Sequence, residues 1–214
     1  MSPAPARPPG HDCPVCARLV DFRTANRAKE PRWHNAPVPS FGRDDARFLI
    51  VGLAPGLKGA NRTGRPFTGD YAGDLLYATL KKFGWATGDY GRESDDGLQL
   101  VDCRITNAVR CVPPENKPTP LEISACRPFL VEEIASLPRL QAILALGSIA
   151  HGSVVRTLGE RLAAYPFRHG AIHQMKTELL LADSYHCSRY NTNTGRLTEA
   201  MFESVFAALR QRVS

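Results

Sequence analysis

The stretch that runs FLIVGLAPG into GLKGANRTGRPFTGDYAG leaves this chain few folds to choose from. Residues 47–53 are apolar without polar alternation, so they read as a strand buried on both faces. Ala54, Pro55 and Gly56 break that strand at a turn, and a polar, glycine-rich loop follows until helical periodicity resumes at Tyr71. In an open α/β sheet, the space beyond the carboxyl end of such a strand is where ligands bind. The loop brings backbone N–H groups, one ring (Phe67) and one carboxylate (Asp70) to that space. Far downstream, LLLADSYHCSRYNTNTGRLT repeats the design, with His186 directly after an apolar strand. The two loops read as halves of one active site.

Four strand-like segments, 47–53, 98–109, 140–146 and 178–183, alternate with helical patterns at 71–83, 119–137, 148–157 and 197–212. Near-continuous apolar strands, each followed by a helix, imply a parallel sheet covered on both faces. The expected fold is therefore a three-layer α/β/α sandwich with a central four-stranded parallel sheet. Thr119, with Glu122 three residues on, has the spacing of a capping box, and Gly147–Ser148 opens the next helix. A chain of 214 residues suits one core, and we expect a single domain over 13–214. Residues 1–12, MSPAPARPPGHD, are proline-rich with no apolar run and read as a disordered lead-in, not a secretory signal. No apolar run reaches the roughly 20 residues of a membrane helix. A cytoplasmic protein with no membrane partner is expected. Residues 13–46 carry Pro31, Pro37, Pro39 and two cysteines outside the alternation, as an extension wrapped on the sheet.

The cysteines fall into groups. Cys13 and Cys16 form a CPVC pair, whose turn brings two sulfurs to one centre. Cys111, just past a strand, and Cys126, within the following helix, could close a four-thiolate site. Thiolates alone leave zinc and an iron–sulfur cluster both open, and metal-free buried thiols remain a third reading. Cys103 lies inside a strand and reads as core. Cys187 has no second base at a recognisable spacing, which argues against a nucleophile. The formal net charge of +6 favours an anionic partner, although an Arg-rich coding bias accounts for the same excess.

GLAPG, GANRTGRPFTGD, ITNAVRCVPPENKP and SYHCSRYNTNTGRLT, in that order, closely resemble the motifs of the uracil-DNA glycosylase superfamily. More narrowly they resemble its family 5, the type B enzymes of bacteria and archaea. The resemblance runs from Cys13 to the C-terminal helix. It implies an N-terminal iron–sulfur extension, with a [4Fe–4S] cluster on Cys13, Cys16, Cys111 and Cys126. It also implies hydrolysis of the N-glycosidic bond of uracil, and of other deaminated bases such as hypoxanthine, in single- or double-stranded DNA. A nucleoid-associated monomer is expected. By the same resemblance His186 would hydrogen-bond the departing uracil O2, and Phe67 would stack on the flipped base. Asn107 would read the Watson–Crick edge, its amide offering the donor and acceptor that an imide needs. Gly52, Ala54, Pro55 and Gly56 would shape the loop around the base. Arg62, Arg65, Arg189 and Arg196, in the two loops, would meet phosphates.

Two positions depart from better-known relatives. Ala54 stands where the uracil-specific family carries a water-positioning Asp, and Leu53 where the other iron–sulfur family carries a Glu. Asp70 is the nearest substitute, for water or for the sugar cation. It also reads as the N-cap of the helix at Tyr71, and the two roles are compatible. The missing carboxylate keeps open a second class, a non-enzymatic iron–sulfur or zinc nucleic-acid-binding module with a degenerate base pocket. Gly56 replaces the Tyr of strictly uracil-specific relatives, which leaves room for bulkier bases.

Overall fold

The protein, in a computed structural model that describes residues 8–213, opens with a turn at the CPVC pair and helix α1 (Ala17–Lys29). Residues 1–7 of the expected lead-in lie outside the described residues. At its end, Arg27 of α1 donates to Asp12 at 2.6 Å. The chain continues through β1 (Phe41–Gly42), β2 (Phe48–Gly52), α2 (Ala60–Thr63) and α3 (Tyr71–Lys82). A hairpin of β3 (Ala86–Thr87) and β4 (Gln99–Leu100) leads to β5 (Cys103–Asn107) and α4 (Pro120–Ala135). Next come β6 (Ala142–Leu146), α5 (Ser148–Thr157), β7 (Ile172–Gln174) and β8 (Leu180–Ser184). The short α6 (Arg189–Asn193) and then α7 (Glu199–Arg210) complete the order. Among these helices none is long and apolar enough to cross a membrane.

The main sheet runs β1-β5-β2-β6-β8-β7. Its four central strands, β5, β2, β6 and β8, are parallel, as expected from their apolar composition. Successive residues of β2 serve opposite faces, as the pleat requires. Phe48 and Ile50 pack with Leu76, Tyr77 and Leu80 of α3 and Phe202 and Phe206 of α7. Leu49 and Val51 pack with Leu130 of α4 and Val154 of α5. Both faces are thus covered, which gives the three layers. All four parallel strands point their carboxyl ends to one edge, where the glycine-rich loop after β2 and the His186 loop after β8 emerge.

The edges differ from expectation. β1 pairs antiparallel with β5, and β7 antiparallel with β8, so the sheet has six strands rather than four. Two- and three-residue strands carry no periodicity to read, and only the neighbouring strand makes them strands. The expected strand at 98–109 is also broken. It bends at Asp102, whose φ is 53°, where Arg47 of the next strand pairs with its carboxylate. The first piece turns away to pair with β3, and only β5 enters the main sheet. The capping box on α4 is formed: Glu122 N–H donates to Thr119 Oγ1 at 3.2 Å, and Thr119 N–H to Glu122 Oε2 at 2.7 Å.

Candidate active site

The site begins with a close approach at the end of β2. Gly52 lies opposite Asn107 in the β2–β5 register. A Cβ on Gly52 would collide with Asn107 Oδ1 and come within 2.6 Å of Phe67 Cζ. Glycine there lets the amide and the ring meet at the strand mouth. Phe67 is held at φ 53°, a left-handed conformation that bulky side chains rarely adopt. Its carbonyl accepts from Tyr90 Oη at 3.2 Å, and that of Pro66 from Tyr77 Oη at 2.5 Å. These bonds hold a strained residue, and strain of about 1–3 kcal/mol persists where surroundings enforce it, often at functional sites.

His186, beyond β8, reaches the same place from the other loop. Its ring lies nearly parallel to Phe67, with centroids 5.9 Å apart and 28° between planes. The backbone on either side is pinned: Asn191 Nδ2 donates to the His186 carbonyl at 2.8 Å, and the buried Cys187 thiol donates to the Ala72 carbonyl at 3.4 Å. The second bond ties the histidine loop to the first turn of α3. It also engages Cys187, which has no exposure and whose thiol is pushed up by burial; it is packing, not a nucleophile. Burial alone lowers the His186 pKa from its usual 6.5 to about 4, so the imidazole is neutral at physiological pH.

Asp70 caps α3, its side chain accepting from Gly73 N–H at 3.3 Å. The other carboxylate oxygen faces the first loop, where a Cβ at Gly56 would lie 2.8 Å from it and one at Gly59 would clash. Burial raises the Asp70 pKa, and backbone N–H groups at the helix start oppose that rise. Asn107 is 3 % exposed, and its Oδ1 has no partner among the described residues.

These groups line one cavity of about 570 Å³, together with Leu53, Ala54, Pro55 and Gly56. Gly52 is not among the lining residues, and it touches the site only through its close approach to Asn107 and Phe67. Lys58, Tyr71, Asn116 and Ser188 line it as well, and sequence reasoning missed all four. Tyr71 carried a signal, standing next to Asp70 in the first turn of α3. Asn116 did not: it enters through a turn in which Glu115 and Asn116 both have positive φ, 54° and 57°.

The four arginines separate. Arg189 lines the cavity and packs over the Tyr71 ring at 5.4 Å. Arg196 lies over Tyr185 at 4.7 Å and lines an adjoining hollow of about 230 Å³ that shares Leu53 and His186 with the first. Arg62 turns aside to Glu93, at 2.7 and 2.9 Å. Arg65 does not meet its expected role. It is buried, paired at two points with Asp96 (2.8 and 2.7 Å), and packed over the rings of Phe41, Tyr77 and Tyr90. A guanidinium so enclosed presents nothing to a phosphate.

Cys13, Cys16, Cys111 and Cys126 line a second hollow, between α1, the segment after β5, and α4, sharing no lining residue with the first. Arg110 N–H donates to Cys126 Sγ at 3.4 Å and Arg23 to Cys111 Sγ at 3.8 Å. Among the described residues, the only group of three or more His, Cys, Asp or Glu ligand atoms within 4.8 Å of one another is His151, His173 and Asp183. The four cysteines are not in that group. The His–Asp group is a hydrogen-bonded network: His151 Nδ1 meets Asp183 at 2.7 Å and its Nε2 the Tyr165 carbonyl at 2.8 Å, which uses both ring nitrogens.

The family model for the uracil DNA glycosylase superfamily matches residues 39–210. The chain is 46 % identical to the type-5 uracil-DNA glycosylase of Thermus thermophilus, over 90 % of this chain and 90 % of that protein. It is 43 % identical to the type-5 uracil-DNA glycosylase of Mycobacterium leprae, over 91 % and 88 % of the two chains. It is 40 % identical to that of Pyrobaculum aerophilum, over 87 % and 83 %.

Proposed function

The chain belongs to the uracil DNA glycosylase superfamily, and we infer that it is a uracil-DNA glycosylase, a hydrolase of N-glycosidic bonds acting on DNA. Breaking that bond leaves positive charge on the sugar and negative charge on the base, so the enzyme must accommodate both. The base must first leave the stack. The observation that carries the reading is the convergence of Phe67, His186 and the partnerless Asn107 oxygen in one cavity. The flipped base stacks on Phe67. Asn107 Oδ1 accepts from the imide N–H of uracil, and its Nδ2 donates to a carbonyl. Neutral His186 donates to O2 as charge builds there, a bond that strengthens towards the transition state.

Asp70 serves twice in this reading. One oxygen caps α3, and the helix N-terminus favours the ionised form. The other, facing the Gly56 loop, offsets the sugar cation or orients water, a task that Ala54 cannot perform. Arg189 and Arg196 lie where phosphates flanking the extruded nucleotide pass. Ala54 and Gly56 line the pocket with small residues and admit hypoxanthine beside uracil, since a pocket with few steric blocks discriminates weakly. The enzyme acts as a monomer in the cytoplasm, on the nucleoid.

The four cysteines fit a [4Fe–4S] cluster in that four soft thiolate donors line one hollow, with N–H donors beside two of the sulfurs, and the motif resemblance favours the cluster over a single zinc ion. Bound there, the cluster would supply a cross-link between α1, the β5–α4 connection and α4. The buried N–H groups of Arg110 and Arg23 already point at its sulfur ligands.

Incubation with duplexes bearing uracil, hypoxanthine or thymine opposite guanine, followed by alkaline cleavage of abasic sites, tests this function. Strand breaks at uracil and hypoxanthine, and weaker ones at mismatched thymine, are expected. Binding without breaks at any base would identify a non-enzymatic nucleic-acid-binding module instead.

A further inference from the structure

Among the described residues three arginines are buried: Arg23 at 4 %, Arg65 at 4 % and Arg110 at 1 % exposure. Two have carboxylate partners, Arg65 with Asp96 and Arg110 with Glu133, both at 2.7 Å. Arg23 has none among the described residues. Its Nη2 donates to the Cys13 carbonyl at 3.0 Å, its Nη1 to Cys111 Sγ at 3.8 Å, and its Nε has no partner. Close by on α1, the buried Asn26 Nδ2 is also without one. A buried guanidinium is tolerated when an anion offsets it.

Arg23 lines the same hollow as Cys13, Cys16, Cys111 and Cys126. Four neutral thiols would leave its charge uncompensated. Four thiolates around a metal–sulfur core, or around one zinc ion, leave about two net negative charges after the metal is counted. We propose that Arg23 is the built-in counter-cation of the four-cysteine centre, a positioning residue that holds the centre through charge and a hydrogen bond to Cys111 Sγ. This rests on the reading of the four cysteines as a metal–sulfur site. Arg110 differs from it in that its guanidinium is engaged by Glu133, which Arg104 shares, and only its backbone N–H reaches a sulfur. Charge and hydrogen bonds at the sulfurs set both the retention of such a centre and its potential. Arg23 therefore slows loss of metal and favours the more reduced state.

The test uses holoprotein purified without oxygen, as wild type, Arg23→Lys and Arg23→Met. Lys keeps the charge, whereas Met keeps most of the length without it. Iron per chain is measured first, then the rate of iron release to excess ferrous chelator, then the midpoint potential. The Met protein should release iron at least about tenfold faster than wild type, as expected when one partner of a buried ion pair is lost. Its potential should shift negative. The Lys protein should stay near wild type in both. Equal loss from the Lys and Met proteins at unchanged potential would mean that Arg23 only packs, and would overturn the proposal. If the Met protein folds without iron while the Lys protein loads it, the proposal stands; if neither loads, it falls. One zinc and no iron in the wild type would contradict the cluster reading alone, and zinc-release rates of the same three proteins would then decide the role of Arg23.

Discussion

Phe67 and His186 face each other across the site, ring over ring at 5.9 Å, and each arrives from its own strand-end loop. Neither loop holds its ring unaided. Phe67 is kept at positive φ by Tyr90 on its own carbonyl and Tyr77 on that of Pro66, and His186 by the Cys187 thiol on the carbonyl of Ala72, within the helix that Asp70 caps. The ring, the imidazole and the carboxylate are therefore anchored through the same helix, and a change at any of them should be felt at the others.

Asp70 joins a structural and a chemical role, and the two separate by substitution. Asn caps helices about as well as Asp, so Asp70→Asn should leave the thermal midpoint within a few degrees while single-turnover base release slows by at least about tenfold. A rate near wild type would confine Asp70 to the cap. Gly59→Ala, which drives a methyl group into the same carboxylate, should slow release with Asp70 left unchanged in sequence.

The pH dependence follows from the neutral state of His186. With its pKa lowered to about 4, the ring gains a proton only as pH falls towards that value. Single-turnover release should be flat from about pH 6 to 8, where the ring does not titrate, and any acid-side decline belongs to protonation of Asp70, whose pKa burial raises. A charged His186 would instead lose activity as pH rises through its usual 6.5. Stability has a matching sign: the unfolded chain binds the proton first, so this histidine's contribution is intact above about 6.5 and is lost as pH falls towards 4. Thermal midpoints of wild type and His186→Ala across that range would show it as a narrowing gap in acid.

Salt dependence should sort the arginines as the structure does. Neutralising Arg189 or Arg196 should reduce the slope of log affinity against log salt by about one each. Arg65→Gln should leave that slope alone and lower stability, because Asp96 loses its guanidinium partner and keeps only the N–H groups of Gly91 and Leu98. DNA-binding titrations at several salt concentrations, with urea melts of the same proteins, separate the two effects. An unchanged slope for both Arg189 and Arg196 would put the DNA on another face.

Much of this was legible before the structure. The four parallel strands announced themselves because burial on both faces forces continuous apolar runs, and the Thr119–Glu122 box because capping is local. Asp70, Phe67, Asn107 and His186 were found through motif resemblance and strand-end position, since no short-range rule singles out any of them. What stayed hidden depended on partners distant in sequence. Nothing near Phe41 or Ile172 says that a neighbouring strand will capture it. Arg65 reads as a loop cation because Asp96 lies beyond α3, and nothing near Arg23 in the chain shows that it has no carboxylate partner among the described residues. Asn116 reaches the cavity through two consecutive left-handed residues that composition does not forecast.

The central claim is that this cavity takes a uracil and expels it as an anion with help from His186. Single-turnover release of uracil from a uracil-containing duplex, measured for wild type and His186→Ala at saturating enzyme, tests it most directly. The account predicts rapid release by wild type, slowed by about 10²–10³ in the variant, with little change in duplex affinity. Equal rates for the two proteins, or no free uracil from the wild type, would contradict it.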